Sequence, residues 1–154
     1  MNGLATFAEK WCHPDYPPMQ VRANDLSAAE LALGSRLPAS YRAAILEVGL
    51  PRPTAALLDS IVDNELDLRD IGDFLAPSEI VDATNSWRSM GLPNTMTAFA
   101  SHCMGNLFVF ARDGGDEGPV YFFDHDDGET VLLADSFAEW IATYCEVPSK
   151  ALKN

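Results

Sequence analysis

Apolar residues recur with two different periods along this chain, and the change from one to the other divides it into helical and sheet segments. Leu4, Phe7, Ala8 and Trp11 stand at i, i+3, i+4 and i+7, which is one face of a helix over 3–12. Pro14, Pro17 and Pro18 end it. Ser27 and Glu30 have capping-box spacing, with Leu26 and Leu31 at the staple positions, and predict a short helix over 28–34 closed by Gly34. After Leu37-Pro38, Tyr41, Ala44, Ile45 and Val48 repeat the helical spacing up to Gly49. Ala55 to Val62 is short, apolar and preceded by Pro51 and Pro53, and reads as a strand. Asn64 to Phe74 has no period and reads as loop. Ser78 is the expected N-cap of a further helix, with Ile80, Ala83, Trp87 and Met90 on its buried side and Gly91 and Pro93 beyond its end.

The period then changes. Met96–His102, Leu107–Arg112, Val120–His125 and Thr130–Ala134 are four strands separated by turn residues. The second is apolar on both faces, as a central strand is. Asp127-Gly128 predicts a two-residue hairpin turn with positive φ at both positions. Ser136 and Glu139 form another capping box, followed by a stripe of Phe137, Trp140, Ile141, Tyr144 and Cys145. Helices, then consecutive hairpins, then a helix predict an α+β fold: an antiparallel sheet of about four to six strands with helices mainly on one face. The expected organisation is one domain over 1–154, with its core over 27–146 and a loose tail over 148–154.

Charge changes the picture more than composition does. Of 23 acidic residues, seven lie in the stretch Asp59–Glu79 and eight in Asp113–Asp135, against a single basic residue, Arg69. The formal net charge of −13 disfavours nucleic acid and anionic lipid as partners. It suits a basic protein partner, and it also serves solubility. The carboxylates expected to meet a partner are Asp63, Glu65, Asp67, Asp70, Asp73, Asp113, Asp116, Glu117, Asp126 and Asp127. Three cysteines without a CxxC spacing, and no basic leader followed by a long apolar run, predict a reduced, cytoplasmic protein with no membrane segment. A monomer or weak homodimer is expected.

Candidate chemistry is sparse. His102-Cys103 and Cys12-His13 are adjacent pairs, and neighbours on a strand point to opposite faces, so neither pair is expected to chelate a metal. No zinc spacing, phosphate loop or nucleophile signature occurs. The acids of Asp124–Glu129 and Asp113–Gly118 are what tight turns require, and no twelve-residue calcium loop is present. Phe108, Phe110, Tyr121, Phe122 and Phe123 lack the flanking cations of an RNA-stacking platform and read as core. No catalytic residue, cofactor or metal ligand is therefore expected.

Four motifs in order resemble one family. Leu33-Gly34-Ser35-Arg36-Leu37-Pro38-Ala39-Ser40-Tyr41 is similar to the "LG..LP..Y" entry of the SUKH superfamily, which unites bacterial immunity proteins with the fungal Smi/Knr cell-wall-assembly regulators. Val48-Gly49 stands where the family often has Asn-Gly. Gly105-Asn106-Leu107-Phe108-Val109-Phe110 resembles its central hairpin, Val120-Tyr121-Phe122-Phe123-Asp124-His125 its "VY..DH" strand, and Ser136-Phe137-Ala138-Glu139-Trp140-Ile141 its closing helix. The resemblance spans roughly 27–145. It implies a non-enzymatic protein-binding domain, with an immunity protein that neutralises a basic toxin, such as a nuclease, as the first reading. A cytosolic regulatory or adaptor domain without a toxin is the alternative.

Overall fold

A computed structural model describes residues 3–112 and 115–148. Among them the elements run α1 (Gly3–Trp11), α2 (Ala23–Leu33), α3 (Ala39–Val48), α4 (Ala55–Asp63), β1 (Asp73–Phe74), α5 (Pro77–Arg88), β2 (Met96–Ser101), β3 (Leu107–Ala111), β4 (Val120–Asp124), β5 (Glu129–Ala134) and α6 (Phe137–Cys145). The strands form one antiparallel meander in chain order. The fold is α+β, as the periods predict.

The register decides which loops are neighbours. Asp73 pairs with Ser101, Ser101 with Leu107, Leu107 with Phe123, and Phe123 with Thr130. Loop 64–72, turn 102–106 and the tip 125–128 therefore cluster at one end of the sheet. Met96 pairs with Ala111, Phe110 with Val120, and Val120 with Ala134. Loop 112–119 and the entry to α6 occupy the opposite end. The strands hold the two ends apart by roughly 17 Å, at about 3.3 Å per residue.

Alternation along the strands separates two cores. Phe99, Phe108, Phe110 and Phe122 face Trp140, Phe137, Tyr41, Phe7 and Leu4, which α6, α3 and α1 supply. Phe99 stacks on Phe110 at 3.9 Å, and Trp140 meets Phe99, Phe108 and Phe74. Each such buried large side chain stabilises the fold by about 1.5–3 kcal/mol. On the other face Ala98, Leu107, Val109 and Phe123 pack with Leu92, Trp87 and Met96. The central strand β3 is buried on both sides, as its sequence indicates. A register shift between Ala98 and Ala100 turns both Phe99 and Ala100 into the larger core. The Ala98 amide at this irregularity donates to Thr84 Oγ1 of α5, at 3.0 Å.

Several local expectations are corrected. Ala55–Val62 is not a strand but most of α4, because Leu57, Ser60 and Ile61 bury at helical spacing while Val62 stays in solvent. The helix α2 starts at Ala23, a turn before the predicted start. Ser27 is thus helix interior, and Glu30 instead accepts from the Leu37 amide and from Arg42. Leu31 is 85% exposed, so no staple forms, although Gly34 does close the helix at φ 67. In α5 the cap position is Ala76, not Ser78, with Pro77 opening the helix and Glu79 accepting from the Ala76 amide. Its buried residues are Ile80 and Thr84, while Met90 lies beyond the helix in solvent. The β4–β5 connection has four residues, since Asp124 pairs with Glu129, and of Asp127 and Gly128 only the glycine has positive φ. The segment read as loop ends in the two residues of β1. Ser136 caps α6 as expected, accepting from the Glu139 amide. Asp113 and most of the expected tail, 149–154, fall outside the described residues.

Candidate functional site

The end of the sheet formed by loop 64–72, turn 102–106 and the tip 125–128 gathers most of the chemistry-bearing side chains. The loop begins where α4 stops: Leu66 N–H donates to Ile61 O and Glu65 turns left-handed at φ 52, an arrangement that satisfies the last helix carbonyls. This leaves Asp63, Glu65 and Asp67 in solvent. Further along, Tyr144 Oη–H donates to Arg69 O at 2.6 Å, and the Arg69 guanidinium lies 4.3 Å from the Phe122 ring centre. The one cation of this acidic stretch is therefore held against the sheet.

Asp70 follows and turns inward. It is 6% exposed, so it leaves the set of carboxylates expected to meet a partner. Asp73 is half-buried, and its carboxyl is raised above the usual range, first by desolvation and then by Glu79, against the opposing pull of Arg52.

The two neighbouring turns lock together. Asn106 Oδ1 accepts from the His125 amide and also meets His125 Nδ1. At the tip, Asp124 Oδ1 accepts from the Asp126 amide and Asp127 Oδ1 from the Glu129 amide, each at 2.9 Å. Those carboxylates build the turn, as the sequence reading holds. Asp126 keeps its side chain 85% exposed, beside His125. Asp124 and Glu129 belong to this acidic end too. Sequence reasoning placed them on the same hairpin but read them as turn residues and did not count them among the partner-facing acids.

His102, Cys103 and Asp70 come together beneath these acids. Their ligand atoms all lie within 4.8 Å of one another. His102 Nε2 is 3.4 Å from Asp70 Oδ1 and 4.0 Å from Cys103 Sγ. The expectation that His102 and Cys103 diverge assumed a strand, but β2 ends at Ser101 and both residues sit in the turn. Asp70 is remote in sequence, so no spacing announces the group. It is not an activated nucleophile. Burial and the adjacent Asp70 carboxylate push the Cys103 thiol up to about 11, and desolvation lowers His102 despite Asp70. Both neighbours also meet the same ring nitrogen, whereas a triad places nucleophile and orienting group on opposite ones.

The acids at the other end have a different setting. Glu117 O accepts from Ser40 Oγ and Phe137 N, and Asp116 O from Ser40 N, each at 2.9 Å. Loop 115–118 is thereby pinned to the first turns of α3 and α6, where negative charge complements the helix dipoles. Asp116 and Glu117 are exposed, but they do not join the acids of the first end.

A cleft of about 590 Å³ lies between α2 and α5. It is lined by Met19, Val21, Ala29 and Val81 with Asp25 and Asp82, and contains no histidine or cysteine. Among the described residues no helix is long and apolar enough to cross a membrane.

Comparison with known proteins gives one family. The SMI1 / KNR4 family (SUKH-1) matches residues 20–143, which takes in every element from α2 through β5 and most of α6. No curated protein matches the chain.

Proposed function

This chain belongs to the SMI1 / KNR4 family (SUKH-1), and from that premise we propose that it is a non-enzymatic binding domain, an immunity protein that captures a basic toxin at the acidic end of its sheet. The observation that carries the reading is that Asp63, Glu65 and Asp67 are exposed on and just before the loop that enters the sheet at the end where Asp126, Asp127 and Glu129 are exposed on the hairpin tip, while Arg69 is folded onto Phe122. A nuclease active site holds phosphate and is basic, so a carboxylate surface can occupy it as a phosphate mimic and speed the encounter. The backbone carbonyls of Asp116 and Glu117 are tied to the first turns of α3 and α6 at the other end of the sheet, so these two acids stand apart from the proposed docking surface.

The test is protection in cells. A basic toxin encoded beside this chain is expressed with the wild type, with Asp67→Lys/Asp126→Lys, or with Asp116→Lys/Glu117→Lys. The expected result is protection by the wild type and by the second variant, and its loss with the first. Equal protection by all three would move the interface off the acidic end. The absence of any protection would favour the alternative, a cytosolic regulatory or adaptor domain.

A further inference from the structure

A buried carboxylate, an imidazole and a thiol meet at one point below the acidic end, and the proposed docking role uses none of them. Asp70 Oδ1 is fully enclosed and receives no well-formed hydrogen bond among the described residues. Such a group is costly unless something positive reaches it. The guanidinium next in the chain lies instead over Phe122. What faces the carboxylate is His102 Nε2 at 3.4 Å and the Cys103 thiol, whose sulfur lies 4.0 Å from that nitrogen. Cys103 is exposed and gives the group an opening to solvent.

From this geometry we propose that Asp70, His102 and Cys103 bind one zinc-class divalent cation, with a fourth position left for water. The donor set is one oxygen, one nitrogen and one sulfur, which suits a borderline-soft ion and not calcium or magnesium. Tetrahedral zinc sets its nitrogen and oxygen ligands about 3.4 Å apart and its nitrogen and sulfur ligands about 3.6 Å apart. The His102–Asp70 separation has the first value. The His102–Cys103 separation of 4.0 Å exceeds the second by a few tenths, and Cys103 lies in an exposed turn that can close the gap.

Coordination changes the protonation of two ligands. The Met104 amide donates to His102 Nδ1 at 3.3 Å, which assigns the ring proton to Nε2 in the metal-free protein. Binding places the Nε2 lone pair on the metal, moves the ring proton to Nδ1, and gives up that long hydrogen bond. The Cys103 thiol loses its proton to solvent. The carboxylate then has its countercharge. This inference goes beyond the docking role and does not rest on it.

The experiment titrates reduced, chelator-stripped protein with Zn²⁺ alone and with Co²⁺ alone. Cys103→Ser and His102→Gln are compared with a surface control, Asp126→Asn. The expected result is one equivalent of zinc, a raised unfolding temperature, and a thiolate-to-cobalt charge-transfer band that Cys103→Ser abolishes. Loss of an outer-shell partner alone costs about 10–100-fold in metal affinity. Removing either ligand should therefore weaken zinc at least that much, while Asp126→Asn leaves it unchanged. No retained zinc would overturn the site. Binding that survives both ligand substitutions would overturn it too, since surface carboxylates would then hold the ion. Cys103→Ser is nearly isosteric and exposed, so it reports on the site even if His102→Gln perturbs the turn.

Discussion

At the scale of single residues, environment matters more than identity. All three thiols are raised by desolvation, and Cys103, the exposed one of the three, is pushed up to about 11 by desolvation and by Asp70 beside it. Raising a thiol's pKa by two units cuts the thiolate about a hundredfold, and the greater nucleophilicity of the stronger base returns about half of that on a logarithmic scale. In a Cys12→Ser/Cys145→Ser background with chelator present, iodoacetamide should therefore alkylate Cys103 at pH 7 about tenfold more slowly than an unfolded cysteine peptide. A rate equal to that of the peptide would contradict the environment described. Trp140 shows the opposite case, where sequence and structure agree. Its place in the stripe Phe137, Trp140, Ile141, Tyr144 predicts burial, and the structure encloses it among Phe74, Phe99, Phe108 and Tyr144. Trp140→Ala should cost roughly 3–5 kcal/mol in chemical denaturation. A loss under about 1 kcal/mol would mean that α6 packs differently.

At the scale of elements, the sequence was legible where a period ran uninterrupted. The strands β2 to β5 and the helix α6 follow the predicted order and nearly the predicted bounds, since alternation and capping are local signals. The error at α4 has a physical cause. A mostly apolar segment of eight residues, broken by Asp59 and Ser60, fits helix and strand templates alike, and what decided it was the burial of Leu57 and Ile61 on one side, a tertiary fact. The early start of α2 has another: Ser27 and Glu30 have cap spacing, but the chain is already helical from Ala23, and Glu30 is drawn to Leu37 and Arg42. Thr84 was overlooked because a buried threonine on a helix gives no signal in sequence, although it ties α5 to the irregular position in β2. Thr84→Val keeps the shape and removes the acceptor, leaving the buried Ala98 amide unpaired. Urea denaturation should show a loss of about 1–3 kcal/mol with an unchanged slope. No change in midpoint would mean that the amide finds another partner.

At the scale of the whole molecule, the acidic stretches were visible in the sequence but their arrangement was not. The sequence reads them as two exposed stretches and a hairpin tip, without saying which of them are neighbours. The meander brings the loop that carries Glu65 and Asp67 into the sheet at the end of the Asp126 tip, sets Asp116 and Glu117 at the other end, and the fold buries Asp70. Register carries that information, and register emerges only when the strands pair. The group of Asp70, His102 and Cys103 was equally hidden, because a loop and a turn remote in sequence meet only at the sheet's end.

In the proposed role, the exposed acids at that end steer and hold a basic partner. The most direct measurement of that role is the association rate of the isolated toxin with this chain across ionic strength, for the wild type and for Asp67→Lys/Asp126→Lys. Charges outside the packed contact act mainly through the on-rate, and their reach shrinks to about 8 Å at physiological salt. The wild-type rate should fall steeply as salt rises, and the variant should associate more slowly, with a flatter dependence and an unchanged unfolding temperature. A wild-type rate independent of salt, or a variant that associates as fast as the wild type, would contradict it.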